Sequence, residues 1–420
     1  MLHFLIYDVL GTPAILVGLF SLIGLLLQKK GISDVISGTL KTIMGFVILT
    51  AGAGIIAYTL TIFSQLFEHS FHIQGVVPNT DAMAALAQKN YGTETATIMV
   101  LGMLINIALA RLTPLKYIFL TGHHTLYMAA MLAVILSVGG LSGGWVVAIG
   151  AVILGAMMVI SPAILQPFTC KITNTDDLAL GHFGSIGYLL SALVGKIIGK
   201  GSPSIEEIKV PKSLNFLRDS SVAISLTMMI LFLVLVLVAG KSFVEETLSA
   251  GQNFIIFAII QSLTFAAGVY IILAGVRMVI AEIVPAFKGI ADKLVKDAKP
   301  ALDCPTVFPF APNAVIVGFL ASFVAGLVSM FLCPLFGLSV IVPGLVPHFF
   351  CGATAGVYGN ITGGRRGAVV GAFAHGLLIS FLPAILLPMM GDMGLGSTTF
   401  GDADFGVVGI VLGHIIAMFN

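Results

Sequence analysis

The stretch GFVILTAG at residues 45–52 has a counterpart in the second half of the chain, GVYIILAG at residues 268–275. Two further pairs keep almost the same spacing, FGSIG (183–187) with FGVVG (405–409) and Pro114-Leu115 with Pro334-Leu335. The offset is about 220 residues in every pair, and no pair is distinctive by itself because glycine and isoleucine are abundant. Three pairs in register predict an internal repeat that covers the whole chain.

Composition places both halves in a membrane. Of the 420 residues, 58% are hydrophobic and only 9% are charged, whereas soluble domains carry about 25% charged residues. The mean hydropathy of +1.09 requires many long apolar segments. No basic residue precedes the first apolar run, so we expect a membrane segment there and not a cleaved signal. The net charge of +1 argues against a nucleic-acid partner.

Twelve apolar segments stand out, most of them close to the length that crosses a bilayer. Their approximate spans are 5–27, 39–64, 94–110, 124–139, 144–167, 183–198, 219–240, 253–284, 313–332, 338–357, 366–390 and 404–419. Backbone polar groups must be satisfied inside lipid, so we expect these segments to be helices. The predicted fold class is therefore an all-α polytopic membrane protein.

Basic residues predict the orientation, because lysine and arginine accumulate in cytoplasmic connections. Lys29 and Lys30 follow the first segment, and basic residues recur after the third and fifth, which predicts an N-terminus outside. The short sixth segment is followed by another basic stretch, 200–218, so we expect it to enter the membrane and return. Lys89 and Lys241 then lie outside, and about eleven segments cross if the last one does.

An odd number of crossings separates the halves, so the repeat is predicted to be inverted. The predicted organisation is a first repeat at 1–200, a cytoplasmic connection at 201–218 and a second repeat at 219–420. Inverted repeats are typical of transporters, whose substrate site lies near the bilayer midplane on interrupted helices.

The repeat selects polar residues. Thr80 and Asp303 occupy equivalent places, each after a polar stretch too short to span the membrane, 67–90 and 285–304. We expect these stretches to be re-entrant or interfacial. Another interpretation of NTDAMAAL is an ordinary helix start, with Asn79 or Thr80 as the cap and Asp81 in the first turn. A helix start inside the membrane can itself bind an anion.

Histidines mark two further predicted helix starts. His123 and His124 follow Thr121-Gly122, and His182 precedes the sixth segment, where the repeat pairs it with Asp404. Histidines on an apolar face are often structural, but polar groups within the membrane are costly unless partnered, which favours a binding role.

Other polar features are predicted to be structural. Arg277 and Glu282, five positions apart, are expected to hold parts of the protein together rather than to contact substrate. The four scattered cysteines are expected to pack, without a redox or metal role. No phosphate-binding GxxxxGK[ST] motif and no HExxH motif occurs, so we expect no cofactor and no metal. ITGGRRGA (361–368) is predicted to be a cytoplasmic turn, with docking of a soluble partner as a weaker alternative.

Several longer stretches resemble the ascorbate-type IIC permeases of the bacterial phosphotransferase system, over essentially the whole chain. They are GTLKTIMGFVILTAGAGI, RLTPLKYIFLTGH, LGHFGSIGY, GVRMVIAEIVPAFKGI, ALDCPTVFPFAPNAV and IVPGLVPHFF. The resemblance implies homodimers of eleven-span subunits in the bacterial inner membrane, with inverted repeats, a core domain and a V-shaped scaffold domain. The core would carry the sugar by an elevator movement.

The resemblance also implies a phosphoryl-transfer chain. The phosphoryl group would pass from phosphoenolpyruvate through enzyme I, HPr and IIA to a cysteine of IIB, which phosphorylates the sugar as it is delivered. No IIA or IIB region is recognised in the sequence, so we expect those components to be separate proteins.

Carried over by motif, the implied sugar pocket agrees with the residues that the repeat selected. It comprises Thr80, Asp81, His123, His124, Thr125, Leu126, Tyr127, His182, Phe183 and Asp303. Asp303 is expected to orient the attacking hydroxyl or act as its base. Asp81, Tyr127 and Phe183 depart from the ascorbate pattern, which has an aromatic residue at the first position and glutamines at the other two. Loss of amide donors should change hydroxyl recognition.

Three alternatives remain open from the sequence. The same permease could carry a pentitol, a hexitol or another sugar. An ion-coupled secondary transporter could use Asp81, Asp303 and the histidines as proton carriers. A channel is disfavoured by the repeat with its interrupted helices.

Overall fold

A computed structural model describes residues 12–71, 75–208, 220–391 and 398–418. Its helices, in chain order, are α1 (Pro13–Leu27), α2 (Ile32–Phe71), α3 (Thr80–Leu112), α4 (Gly122–Val138), α5 (Gly144–Thr173), α6 (Ser185–Ile198), α7 (Ser220–Ala239), α8 (Lys241–Phe243), α9 (Phe254–Lys293), α10 (Pro312–Leu335), α11 (Leu345–Arg366), α12 (Ala372–Leu386) and α13 (Ala403–Ala417). Its strands are β1 (Val77–Pro78), β2 (Tyr117–Phe119), β3 (Ala179–Leu180), β4 (Lys299–Leu302) and β5 (Thr398–Thr399).

The long apolar helices make this a multi-pass membrane protein. Within the described ranges, six helical stretches are long and apolar enough to cross a bilayer, or seven if the bent pair 224–239 and 241–248 forms one span. One of the six, 346–390, contains a break at Gly363–Gly364, and four shorter apolar helices accompany them. The number of crossings stays a prediction, as do the repeat boundaries.

The two helices that carry the matching sequence stretches pack directly against each other. α2 and α9 are each 40 residues long, and their contact depends on glycines. A Cβ atom on Gly52 would lie 2.7 Å from the nitrogen of Ile272, and one on Gly275 would lie 2.4 Å from the nitrogen of Leu49. Small residues allow this close approach, as in other membrane helix pairs.

Glu282, for which the sequence predicts a structural role, forms an ion pair with a residue of another helix. Its carboxylate lies 3.4 Å from the ammonium of Lys41, which joins α9 to α2. The i,i+5 spacing from Arg277 therefore does not matter for Glu282, because its partner lies on the other long helix.

The structure is mostly helical, in agreement with the all-α prediction, and a few short strands lie between the helices. β1 pairs in parallel with β5, and β4 lies between β2 and β3, also in parallel. Each pair joins segments that are far apart in the sequence. Extended backbone between helices needs hydrogen-bond partners where water is excluded, and the strands supply them to each other. They are too short to produce a period-two pattern, so the sequence does not reveal them.

The segment 361–368 is a helix break rather than a simple turn. Gly363 (φ −137°) and Gly364 (φ +53°) interrupt α11 before Arg365, and the chain then continues through a π-helical turn into α12. The backbone N–H of Arg365 donates to the carbonyl of Pro203, 2.9 Å away. A Cβ on Gly364 would lie 2.2 Å from the carbonyl of Ser202, so the break is packed tightly against the connection between the halves.

The same connection also caps the first turn of α10. Glu206 lies in a short 3-10 turn, and its carboxylate accepts the backbone N–H groups of Asn313 (3.3 Å) and Ala314 (2.9 Å). Burial raises the pKa of Glu206, and these two hydrogen bonds oppose the rise. The carboxylate satisfies free N–H groups at the start of a helix and so attaches α10 to the connection.

Candidate functional site

Three predicted site segments leave the same edge of the three-stranded sheet. β4 ends directly before Asp303, β3 ends two residues before His182, and β2 ends four residues before His123. Because the strands are parallel and in register, with Phe119 and Ala179 both opposite Ala301, their carboxyl ends lie together. Strand pairing between the two halves of the chain thereby brings His123, His182 and Asp303 close together.

Backbone contacts hold this edge in place. Leu120 N–H donates to the carbonyl of Ala301 (3.0 Å), and Gly181 N–H donates to that of Leu302 (2.6 Å). The Thr121 hydroxyl donates to the carbonyl of Gly181 at 2.5 Å. A Cβ at position 181 would lie 2.6 Å from the carbonyl oxygen of Ala301, so a glycine is required for this approach.

A carboxylate between two imidazoles forms the centre of the site. Asp303 Oδ2 lies 3.4 Å from His123 Nε2, and Asp303 Oδ1 lies 3.8 Å from His182 Nε2. Asp303 also accepts the backbone N–H of Cys304 at 2.6 Å, which fixes its carboxylate. His124 stands beside His182, with 3.9 Å between ring centroids. The side chain of His123 is 31% exposed and that of Asp303 is 12% exposed, so the centre is partly accessible.

Thr80 reaches this region through the other strand pair. β1 and β5 run in parallel, and the Thr80 hydroxyl beyond β1 accepts the backbone N–H of Gly401 beyond β5 at 3.1 Å. The next residue, Asp402, has a carboxylate oxygen within 4.8 Å of ligand atoms of His124 and His182. Thr80 is thus joined to the histidines through Gly401 and Asp402. Asp402 is a residue that sequence reasoning missed.

The first turns of α4 divide into polar and packing positions. Thr125 is buried, and its hydroxyl donates to the backbone carbonyl of Thr121, directly before the helix, at 3.1 Å. Leu126 packs against an apolar core cluster. The ring of Tyr127 is 5.7 Å from that of His123, between centroids. Of these three, Tyr127 has its ring beside the polar centre.

Phe183 lies in an apolar stack. It is fully buried, and its ring stacks on Phe119 at 4.8 Å between centroids. It therefore supports the segment that carries His182, and its side chain has no group that can form a hydrogen bond. The side chain of Asp81 lies outside the described part of the structure.

His182 is held from behind by two groups that the sequence did not single out. Tyr188 Oη lies 2.9 Å from His182 Nδ1, and the Ser161 hydroxyl donates to the backbone carbonyl of His182 at 3.1 Å. A Cβ on Gly184 would lie 2.5 Å from Tyr188 Oη, so the glycine leaves room for this contact. The arrangement turns His182 Nε2 towards Asp303.

Asp404, which the predicted repeat pairs with His182, contacts the start of α6. Its carboxylate accepts the hydroxyl of Ser185 (2.5 Å) and the backbone N–H of Ile186 (2.8 Å) at the start of α6. Its backbone N–H donates to the carbonyl of Phe183 at 3.0 Å. Asp404 therefore caps α6 and attaches α13 to the segment that carries His182.

A narrow cleft leads to Asp303 from the side of the long helices α2 and α9. It is lined by Phe46, Leu49, Leu120, Thr121, Val279, Leu302, Asp303 and Thr306. Its walls are mostly apolar, with the hydroxyl and carboxylate groups at the strand ends. Its volume of about 10 Å³ is room for about one water molecule.

The site also holds side chains that can ligate a metal ion. Three overlapping sets each have one ligand atom per residue within 4.8 Å of the others: His123, His124 and Asp303; His124, His182 and Asp402; and His182, Asp303 and Cys304.

An ion pair beside the three-stranded sheet predicts how the stability of the protein depends on pH. Lys299 on β4 pairs with Asp176, which precedes β3. Burial alone would raise the pKa of Asp176, but hydrogen bonds from Lys299 and other side chains outweigh it and lower the pKa from 3.8 to about 2. The stabilisation is therefore complete above about pH 4 and is lost as the pH falls towards 2.

The expected contribution is below about 1 kcal/mol, because the Asp176 side chain is 65% exposed and solvent screens the pair. Thermal unfolding of wild type and Asp176→Asn should differ slightly at pH 5, and the difference should vanish near pH 2. Asp177→Asn, a neighbouring surface carboxylate, is the control. A difference that grows on acidification would contradict the assignment.

Long apolar helices around a buried polar cluster at helix breaks define a multi-pass membrane protein with an internal polar site. The family model described as the PTS system sugar-specific permease component matches residues 8–404, and the chain belongs to this family. The ascorbate-specific PTS system EIIC component of Mycoplasma pneumoniae is 28% identical over 421 residues, which cover 86% of this chain and 63% of the relative. The chain thus spans less than two thirds of that relative's length.

Proposed function

We propose that this protein is the membrane-embedded IIC permease of a phosphoenolpyruvate-dependent sugar phosphotransferase system in the bacterial inner membrane. It binds L-ascorbate or a related sugar, and a phosphorylated IIB component phosphorylates the sugar on delivery. The observation that carries the proposal is the Asp303 carboxylate between His123 and His182 at the end of a cleft. Family membership supports the class, and the ascorbate-specific relative supports the substrate.

Each group at the centre has a proposed role. His123 donates to a sugar hydroxyl or enolate oxygen, and His182 does so from the opposite side of Asp303. Asp303 orients the hydroxyl that attacks the phosphoryl group, or removes its proton. Tyr127 and Asp81 would contribute to the specificity for one sugar over another. Phe183 offers only a ring, which favours a substrate that does not need an amide donor at that position.

Two inverted repeats, with an elevator movement of a core domain against a scaffold, are part of the proposal. The equal lengths of α2 and α9 support the repeat. The strand pairs support it as well: β1 and β4 hold equivalent positions in the two halves, as do β3 and β5, so the pair β1–β5 is the counterpart of the pair β4–β3. We propose that the sugar site lies where the strand ends face α2 and α9, beside the small cleft that reaches Asp303. We propose a homodimer as the assembly.

The decisive experiment measures the chemical form of the transported solute. Vesicles containing the permease are given a labelled sugar with phosphorylated IIB, with unphosphorylated IIB, or with an uncoupler. We expect sugar phosphate inside only with phosphorylated IIB, and no effect of the uncoupler. Uptake of unmodified sugar that the uncoupler abolishes would instead establish ion-coupled secondary transport through the same carboxylate and histidines.

The substrate is identified on the purified protein. L-ascorbate, pentitols and hexitols are compared by binding calorimetry. Binding of ascorbate alone would agree with the relative's name, whereas tighter binding of a polyol would reassign the sugar and leave the phosphotransferase class unchanged.

A further inference from the structure

One buried polar atom of the site has no partner in the described part of the chain. His124 is 5% exposed, and its Nδ1 makes no hydrogen bond. Leaving a buried polar group unsatisfied is energetically unfavourable. Its ring lies against that of His182 and stacks over Phe405 at 5.8 Å between centroids, so it has little freedom to turn elsewhere. The nitrogen is therefore available to an external ligand.

The groups around His124 are the donors that zinc prefers. Ligand atoms of His124, His182 and Asp402 lie within 4.8 Å of one another, and all three residues are buried. Two imidazoles and one carboxylate form a frequent protein ligand set for Zn²⁺, at bond lengths of roughly 2.0–2.2 Å. Closing the triad around an ion requires side-chain shifts of roughly 1 Å, and a water molecule would complete a tetrahedron.

The ligands are also supported from behind. Tyr188 Oη contacts the Nδ1 atom of His182, which leaves Nε2 for the site. Cys351 Sγ donates to Asp402 Oδ1 at 3.0 Å. Hydrogen bonds of this kind orient the side chains that bind the metal, and their loss typically lowers metal affinity 10–100-fold.

We propose that His124, His182 and Asp402 bind a divalent zinc-type cation, and that this ion inhibits the permease by occupying the sugar site. The small cleft reaches Asp303, whose carboxylate lies 3.8 Å from His182 Nε2. Inhibition follows because His182 cannot coordinate the ion and also donate Nε2–H to a sugar. The inhibitory role rests on the proposed function, whereas the metal site does not.

Calorimetry without sugar tests the site. Purified protein is titrated with ZnCl₂ and, separately, with MgCl₂. We expect one Zn²⁺ per chain and no comparable binding of Mg²⁺, which prefers oxygen ligands. His124→Gln and Asp402→Asn should each weaken Zn²⁺ binding at least tenfold, while His414→Gln, an exposed histidine on α13, should not. Unchanged Zn²⁺ affinity in His124→Gln would overturn the assignment.

X-ray absorption on the wild-type protein gives an answer that does not depend on how the variants fold. We expect nitrogen and oxygen neighbours at about 2.0–2.2 Å with imidazole scattering. A sulfur neighbour at about 2.3 Å would overturn the triad and point to Cys304 instead.

Competition distinguishes the inhibitory role from the proposed transport function. Saturating Zn²⁺ should raise the apparent Kd of the sugar at least tenfold in wild type and much less in Asp402→Asn. Sugar binding that is indifferent to bound Zn²⁺ would overturn the inhibition. If no sugar binds even in the absence of metal, the proposed function fails, and the zinc titration still decides the metal site.

Discussion

Replacing Asp303 with asparagine is expected to abolish phosphorylation-coupled sugar uptake. The carboxylate lies between His123 and His182, and an amide of the same shape can neither accept a proton nor attract both imidazoles. Loss of a general base alone typically costs 10²–10⁴-fold in rate, so we expect a loss of roughly that size. The measurement is sugar phosphate formed in vesicles with phosphorylated IIB, alongside sugar affinity by calorimetry.

The control is Asp297→Asn, the same chemical change at an exposed turn just before β4. Asparagine is tolerated in its left-handed backbone conformation, so folding and uptake should be unchanged. His123→Ala should reproduce the loss while leaving a folded protein. Normal uptake in both Asp303→Asn and His123→Ala would reject the site.

Replacing Gly363 with alanine is expected to destabilise the protein more than most single substitutions. The added methyl carbon would lie 2.2 Å from the carbonyl oxygen of Gly195 and 2.8 Å from its Cα. Both are backbone atoms, so α6 and α11 would have to separate. Overpacking costs about 1–3 kcal/mol where side chains can move, and we expect a value above this range here. Thermal unfolding and the yield of monodisperse protein measure the effect.

Gly144→Ala is the matched control. Gly144 begins α5, and a Cβ there would meet no atom within 4 Å. Alanine has a higher helix propensity than glycine, so stability should be unchanged or slightly increased. Equal unfolding temperatures for the two variants would show that α6 and α11 do not pack as closely as the structure describes.

The predicted repeat in the sequence pointed to some residues of the polar cluster and missed others. It selected Thr80 and Asp303, and the histidines followed from the cost of polar groups at helix breaks. The structure brings His123, His124, His182 and Asp303 together at one edge, and their role in substrate binding stays a prediction. Asp402 was missed because the repeat drew attention to Asp404, two positions later.

Tyr188 was missed for another reason. It is one of several aromatic residues in apolar segments, and nothing in its spacing distinguishes it from a packing residue. Its role depends on the hydroxyl reaching His182 Nδ1 past Gly184, which is a property of three-dimensional packing.

The amino-acid sequence by itself determined that this is a helical membrane protein with polar residues at helix breaks. Both properties are local, because hydropathy and helix interruption are encoded within about 20 consecutive residues. Only the tertiary structure decided which breaks meet. β4 lies between β2 and β3 through pairings that span more than 100 residues, and such backbone hydrogen bonds carry no side-chain signature. The partners of Asp303 therefore become visible only once the chain is folded.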